Sequence, residues 1–348
     1  MPTYPAEQLK QFAARLLEAA GAPPAHAAVT AECLIAANLR GVDTHGMQLL
    51  PYYLEQIEHG ELDPAGEGLV LSESGACLLY DGRHTLGQVT AEICCGHAVR
   101  LAREHGAGVV VARDCCHFGA AAFWGQRISG HGMIGIISCN ASPQVPPWQG
   151  REPRTGTNPL CVATPGPWLL DMATTTVAAG KIYKAFINGE PAIPAGWALD
   201  AEGRPTTETR AAYHGGMLMP LGGYKGSGLA LMAEILCGVL GGGAVSTEIG
   251  GIRIRGRPMR VSHFFLALDI ARFLPVDEFV ARLEHLVAHV KAARPAAGYD
   301  EVLVAGDPEW RTEAQRLRTG VEVGQGTWAQ LEGLAARLQV PLPAEGLS

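Results

Sequence analysis

The 348-residue chain has room for two or three modules, and a content of 47% apolar and 18% charged residues describes a folding chain rather than a disordered one. A formal net charge of −7 with no basic stripe excludes an ordinary nucleic-acid-binding surface, and no apolar run is long enough to span a bilayer. Met1-Pro2-Thr3-Tyr4-Pro5 lacks the basic and apolar segments of a secretory leader, so cytoplasmic residence is the expectation; the nine cysteines include adjacent pairs (Cys94-Cys95, Cys115-Cys116) and no CxxC, and read as mostly buried thiols rather than disulfides or metal ligands.

In chain order, Leu9, Phe12, Ala13, Leu16, Leu17 and Ala20 recur at helical spacing and predict a helix over 6–20, ended by Gly21 and Pro23-Pro24. Helices over 25–38 and 49–59 follow, separated by a turn at 42–46. The texture then changes to alternating strand and helix, which reads as an α/β body. Its expected elements are a strand over 68–80, a helix over 89–105, a strand at 108–112, a helix over 120–129 and strands at 133–139, 160–164 and 264–269. Pro- and Gly-rich stretches at 142–167 and 191–223 read as irregular functional loops. Helices are expected over 275–291, 309–318 and 327–339.

Two histidine segments bear chemistry. In Arg40-Gly41-Val42-Asp43-Thr44-His45-Gly46 a hydroxyl precedes a histidine, the natural proton carrier near neutral pH; taken alone, the segment reads better as a helix cap. In Asp114-Cys115-Cys116-His117-Phe118-Gly119-Ala120-Ala121-Ala122 a strand feeds a helix whose free amides and small side chains suit phosphate, although an ordinary strand-to-helix turn explains it equally well. No GxGxxG follows a strand. The glycine-rich Gly222-Gly223-Tyr224-Lys225-Gly226-Ser227-Gly228 instead precedes a helical run, which rules out a plain Rossmann reading.

Together with Gly156-Thr157-Asn158-Pro159, Asp171-Met172-Ala173-Thr174, Gly196-Trp197-Ala198-Leu199-Asp200 and Leu221-Gly222-Gly223-Tyr224-Lys225-Gly226, these segments resemble the type-2 malate/L-lactate dehydrogenase family, which includes ureidoglycolate dehydrogenase, diketogulonate reductase and cyclic imino-acid reductases. Six motifs in one order span nearly the whole chain. The resemblance implies an α/β, non-Rossmann nicotinamide-binding fold, with a helical region from both chain ends (1–66 packing with 309–340) around a 67–308 body. It also implies a homodimer, NAD or NADP as cofactor, and a small-molecule substrate. By the same resemblance His45 is the proton donor, with Thr44 standing where a serine usually orients it, and His117 is the alternative catalytic residue. The cofactor would meet His117, Phe118, Gly119, Ala120, Ala121, Ala141, Asp171, Met172, Ala173, Lys225, Gly306 and Asp307. The substrate would meet Gln48, Thr157 and Asn158.

The chain departs from the family in three places. Members acting on 2-oxo acids show His-Gly-x-x-Arg, whose arginine grips the carboxylate, whereas in this chain His45-Gly46-Met47-Gln48 leads into no arginine. Arg40 and Arg154 are candidates to compensate, though either reads better as a surface or structural arginine. Ala305-Gly306-Asp307-Pro308-Glu309 replaces the usual Pro-Gly-Glu, and Lys181 and Lys184 occupy the stretch where an auxiliary acid is sought. The expected reaction is hydride transfer between nicotinamide and a small 2-oxo/2-hydroxy acid or related carbonyl. Cyclic imine reduction and a catalytically silent binding protein are the alternatives.

Overall fold

The computed structural model describes residues 3–343. Strand β1 (Thr3–Tyr4) leads into helices α1 (Ala6–Ala19), α2 (Pro24–Leu39) and α3 (Leu50–Glu58). α1 buries Leu9, Phe12, Ala13, Leu16 and Leu17, the stripe that its spacing predicts. Gly21, at φ 100°, turns the chain into α2, and Pro24 occupies the first position of that helix, where its missing N–H has no intrahelical partner to lose.

The body follows as β2 (Leu69–Ser74), β3 (Cys77–Asp81), α4 (Gly87–His105), β4 (Ala107–Cys115), α5 (Ala121–Ser129), β5 (Met133–Cys139), β6 (Leu160–Ala163) and β7 (Leu169–Met172). Next come α6 (Ala179–Ile187), β8 (Ala198–Leu199), β9 (Pro205–Thr206), α7 (Thr209–Tyr213), β10 (Met217–Leu218), α8 (Tyr224–Glu234) and β11 (Val261–Asp269). The C-terminal part holds α9 (Val276–Lys291), α10 (Asp307–Thr319), β12 (Val321–Glu322) and α11 (Gln325–Leu338). The single strand expected over 68–80 is a hairpin that turns at Gly75, φ 54°. The stretch expected to be irregular over 191–223 instead contributes a small sheet ordered β10-β8-β9, which packs with α6 around Val177, Ile182, Ile193 and Leu218.

The main sheet runs β2-β3-β4-β11-β5-β6-β7, with only β3 and β4 parallel; every other neighbouring pair is antiparallel. This is an α/β body without the doubly wound parallel sheet of a Rossmann domain. α4 and α5 cover one face and share its largest apolar cluster, which includes Trp124, Phe118 and Phe265. A second cluster joins the chain ends: Leu9, Phe12, Leu34, Leu50 and Tyr53 pack with Trp328 and Leu331 of α11, and β1 pairs with β12. Each fully buried Leu or Phe there contributes about 1.5–3 kcal/mol. Among the described residues no helix is long and apolar enough to cross a membrane.

The antiparallel register has a functional consequence. It brings the C-terminal ends of β4, β5 and β7 to the same edge of the sheet as the N-terminal ends of β11 and β6. Five strand ends therefore open onto one place.

Candidate active site

At that edge lies a cavity of about 550 Å³, lined by the segments that leave the strands and by the 3₁₀ turns between α2 and α3. The turn carrying His45 is built as a clamp. Asn38 donates from Nδ2 to Asp43 Oδ1 at 2.6 Å and accepts the Met47 N–H at 2.8 Å, while Arg316 of α10 grips both carboxylate oxygens of Asp43 at 2.6 and 3.0 Å. Gly46 closes the clamp, because a Cβ there would lie 2.1 Å from Asn38 Oδ1. Asp43 thus anchors the turn to α10, where a helix cap was the simpler expectation. His45, so held, places Nδ1 3.0 Å from Thr44 Oγ1.

His117 sits 5.5 Å away, ring centroid to ring centroid, where β4 gives way to α5. Its Nδ1 accepts the Gly119 N–H at 3.1 Å and lies 2.7 Å from the Tyr53 hydroxyl, which itself accepts from Gln88 Nε2 at 3.0 Å. A backbone N–H can only donate, so the pattern assigns the His117 proton to Nε2. Gly119 reaches this position at φ 82°, with the site of a Cβ only 2.6 Å from Cys33 Sγ. Both rings are held neutral: burial pushes His45 down to about 4 and, aided by the neighbouring His45 and His263, pushes His117 down to about 3.

The two rings differ in what faces Nδ1. Protonating His117 would set a second N–H against that of Gly119, whereas the Thr44 hydroxyl beside His45 can rotate to donate or accept. His45 can therefore cycle through both protonation states while His117 stays a neutral donor.

Phe118 to Ala122, at the start of α5, line another part of the cavity together with Asp171, Met172, Ala173, Ala305 and Gly306. Asp171 accepts the Ala122 N–H at 2.8 Å. Burial pushes its carboxyl up to about 6, against the pull of that N–H and of Arg40. Arg40, only 6% exposed, lines the cavity with one Nη atom lacking a hydrogen bond; its nearest acid is Glu313, 3.7 Å away. Small alanines that let a ligand come close to the backbone, with the Asp171 carboxylate beside them as an acceptor, fit a dinucleotide with its ribose hydroxyls.

The cavity brings together Thr44, His45, Gln48, His117, Phe118, Gly119, Ala120, Ala121, Ala141, Thr157, Asp171, Met172, Ala173 and Gly306. Three expected residues lie elsewhere. Asn158 is fully buried: its Oδ1 accepts the Ala141 N–H, and its Nδ2 donates to Ala230 O and to Glu234 at 3.0 Å. Its amide braces the wall rather than facing a substrate. Lys225 is exposed on the first turn of α8, outside the cavity, and Asp307 is engaged by Lys291 at 2.8 Å and the Val304 N–H. The fold adds His263 and Arg253, which sequence reasoning missed. His263 follows a bulge between Val261 and His263 and stacks on Phe118 at 4.4 Å, where a lone strand histidine reads as ordinary core. Among the described residues no cluster of three His, Cys, Asp or Glu side chains could hold a metal.

A family model described as "Malate/L-lactate dehydrogenase" matches residues 4–332. The chain is 35% identical to a malate dehydrogenase of Pyrococcus horikoshii, over 97% of this chain and 95% of that one. It is 37% identical to a (2R)-3-sulfolactate dehydrogenase (NADP(+)) of Chromohalobacter salexigens, over 80% and 84% of the two chains. The crystal structure of a malate dehydrogenase from Entamoeba histolytica superposes with a TM-score of 0.93 at 28% identity, covering 98% of this chain and 99% of that one.

Proposed function

Because the chain belongs to the malate/L-lactate dehydrogenase family, and is thereby an NAD- or NADP-dependent oxidoreductase of small hydroxy acids, we propose that it interconverts a 2-oxo acid and its 2-hydroxy acid with His45 as the proton carrier. The observation that carries this assignment is the contrast at Nδ1 between a rotatable hydroxyl for His45 and a fixed N–H for His117.

The nicotinamide, when bound, supplies or accepts the hydride. Phe118 to Ala122, Ala141, Asp171 to Ala173 and Gly306 are the residues that would hold it. Thr157 and Gln48 line the remaining space, where a small substrate would sit. His117, neutral and carrying its proton on Nε2, serves as a hydrogen-bond donor that holds the substrate oxygen. His45 gives its proton to that oxygen in reduction and takes it back in oxidation. Burial holds His45 neutral at pH 7, so it is ready to act as a base; in the reductive direction it must first acquire a proton.

A homodimer is part of the proposal. Leu69, Val70 and Leu71 on edge strand β2 are exposed, as are Leu231, Ile235, Val239 and Leu240 along and beyond α8, and a soluble chain does not leave such surface uncovered. Light scattering on the purified protein should give twice the chain mass.

The function is tested by initial rates of NADH and NADPH absorbance loss with pyruvate, oxaloacetate, a sulfonated 2-oxo acid and a cyclic imine. Turnover of at least one 2-oxo acid is expected. Turnover of the cyclic imine alone would transfer the assignment to C=N reduction, and failure to bind either cofactor would leave a silent binding protein.

A further inference from the structure

Gln48 and Leu49, the fourth and fifth residues counted from His45, line the cavity but carry no charge, so a substrate carboxylate needs another cation. Two basic side chains line the cavity, Arg40 and Arg253. Arg40 is buried with Glu313 3.7 Å away and acts electrostatically on Asp171, so its charge is already answered by protein carboxylates. Arg154 pairs with Glu152 outside the cavity, and Lys181 lies over Trp197. Arg253 has no carboxylate partner among the described residues.

Its loop is rigidly placed. The Ile254 N–H closes a turn onto Gly251 O at 2.9 Å, and Ile252 packs against both large apolar clusters. Arg255 binds Glu55, the Gly256 N–H donates to Glu61 Oε1 at 2.6 Å, and Arg257 donates to Ile249 O at 3.0 Å. Every neighbouring arginine of the loop is thus engaged, while Arg253 at its tip reaches the cavity. There its guanidinium carbon stands 4.9 Å from the ring centre of Tyr52 and 5.9 Å from that of Tyr183. Tyr52 belongs to α3, the helix that follows His45 and Gln48; Tyr183 belongs to α6, whose first residues Ala179 and Gly180 also line the cavity. An aromatic shelf fixes the plane of a guanidinium and leaves its N–H edge free to meet a carboxylate in two-pronged fashion.

We infer that Arg253 is the substrate's anion anchor, taking the part that the family gives to the arginine of His-Gly-x-x-Arg, where this chain has Leu49. The ligand class is a small 2-oxo or 2-hydroxy acid whose carboxylate, or an equivalent terminal anion, points toward the 251–254 turn while its carbonyl faces His45 and His117. This inference rests on the hydride-transfer reading above and adds the specificity element.

The test compares wild type, Arg253→Gln, Arg253→Lys and the double variant Leu49→Arg/Arg253→Gln, using oxaloacetate, pyruvate and the neutral amide of pyruvate. In Arg253→Gln the KM for the preferred acid should rise at least about 30-fold with kcat within about threefold, because a charged hydrogen-bonded partner has been removed from binding. The KM for the amide and the Kd for the cofactor should not move. Lysine should restore part of the loss, and the double variant should regain acid binding. An unchanged acid KM in Arg253→Gln, or equal rises for acid and amide, would overturn the inference while leaving hydride transfer intact. A wild-type protein that reduces no 2-oxo acid would defeat both readings together.

Discussion

Replacing His263 by Phe should flatten the acid side of the stability profile. The ring is fully buried, stacked on Phe118 and set edge-on to Phe265, and neither nitrogen makes a hydrogen bond of ordinary geometry. Burial pushes its pKa down to about 3 from the 6.5 of a free histidine, against partial support from the Cys116 backbone. A group whose folded pKa is depressed below its unfolded value takes up its proton preferentially in the unfolded chain. Its contribution to stability is therefore fully present above about pH 6.5 and is lost as the pH falls toward 3. Between pH 7 and pH 5 the loss amounts to about 2 kcal/mol. Phenylalanine keeps the stacking and cannot titrate, so its cost at pH 7 should stay within about 1–2 kcal/mol. Urea unfolding at pH 7 and pH 5 measures the difference: the wild type should lose about 2 kcal/mol more than His263→Phe over that interval, with His263→Gln as a non-aromatic check. Parallel losses in wild type and both variants would refute the reasoning.

The His45 assignment carries a direction in pH. Oxidation of the hydroxy acid, measured as kcat/KM, should rise through about pH 4 and level off above it, and reduction should weaken as pH increases over the same range, since one step needs the neutral ring and the other the protonated one. Gly119→Ala forces a side chain into a positive-φ position against Cys33 Sγ; calorimetry should show a loss of about 1–3 kcal/mol, and fluorescence titration weaker cofactor binding. Asn158→Ala leaves the buried Glu234 carboxylate short of a donor, so it should cost about 2–4 kcal/mol in stability, whereas a substrate-contacting residue would show its effect chiefly in KM.

Periodicity made the layers legible where elements were long. The five-residue stripe of α1 and the β-branched run of β5 signal their own structures within a single window. The small sheet of β8, β9 and β10 escaped, because strands of two residues between Gly and Pro are too short to show a period, and their partners become visible only once the fold pairs them. Both histidine segments could be picked out because each joins a proton-carrying side chain to glycine at an element boundary. What distinguishes the two rings could not be read there: Tyr53 is 64 residues from His117, and Gly119 donates only because of its backbone conformation. Asn158 and Lys225 matched the expected motifs, yet one turns inward to Glu234 and the other outward to solvent. Arg253 was hidden in Ile252-Arg253-Ile254-Arg255-Gly256-Arg257, where alternating arginines look like a solvated surface until Glu55 and backbone carbonyls engage two of them.

The central claim is that His45 carries the proton in a nicotinamide-dependent reaction. It is met most directly by steady-state turnover of His45→Ala in parallel with its cofactor affinity. Loss of the imidazole should lower kcat about 10²–10⁴-fold and leave the cofactor Kd close to that of wild type. Undiminished turnover in the variant would contradict it.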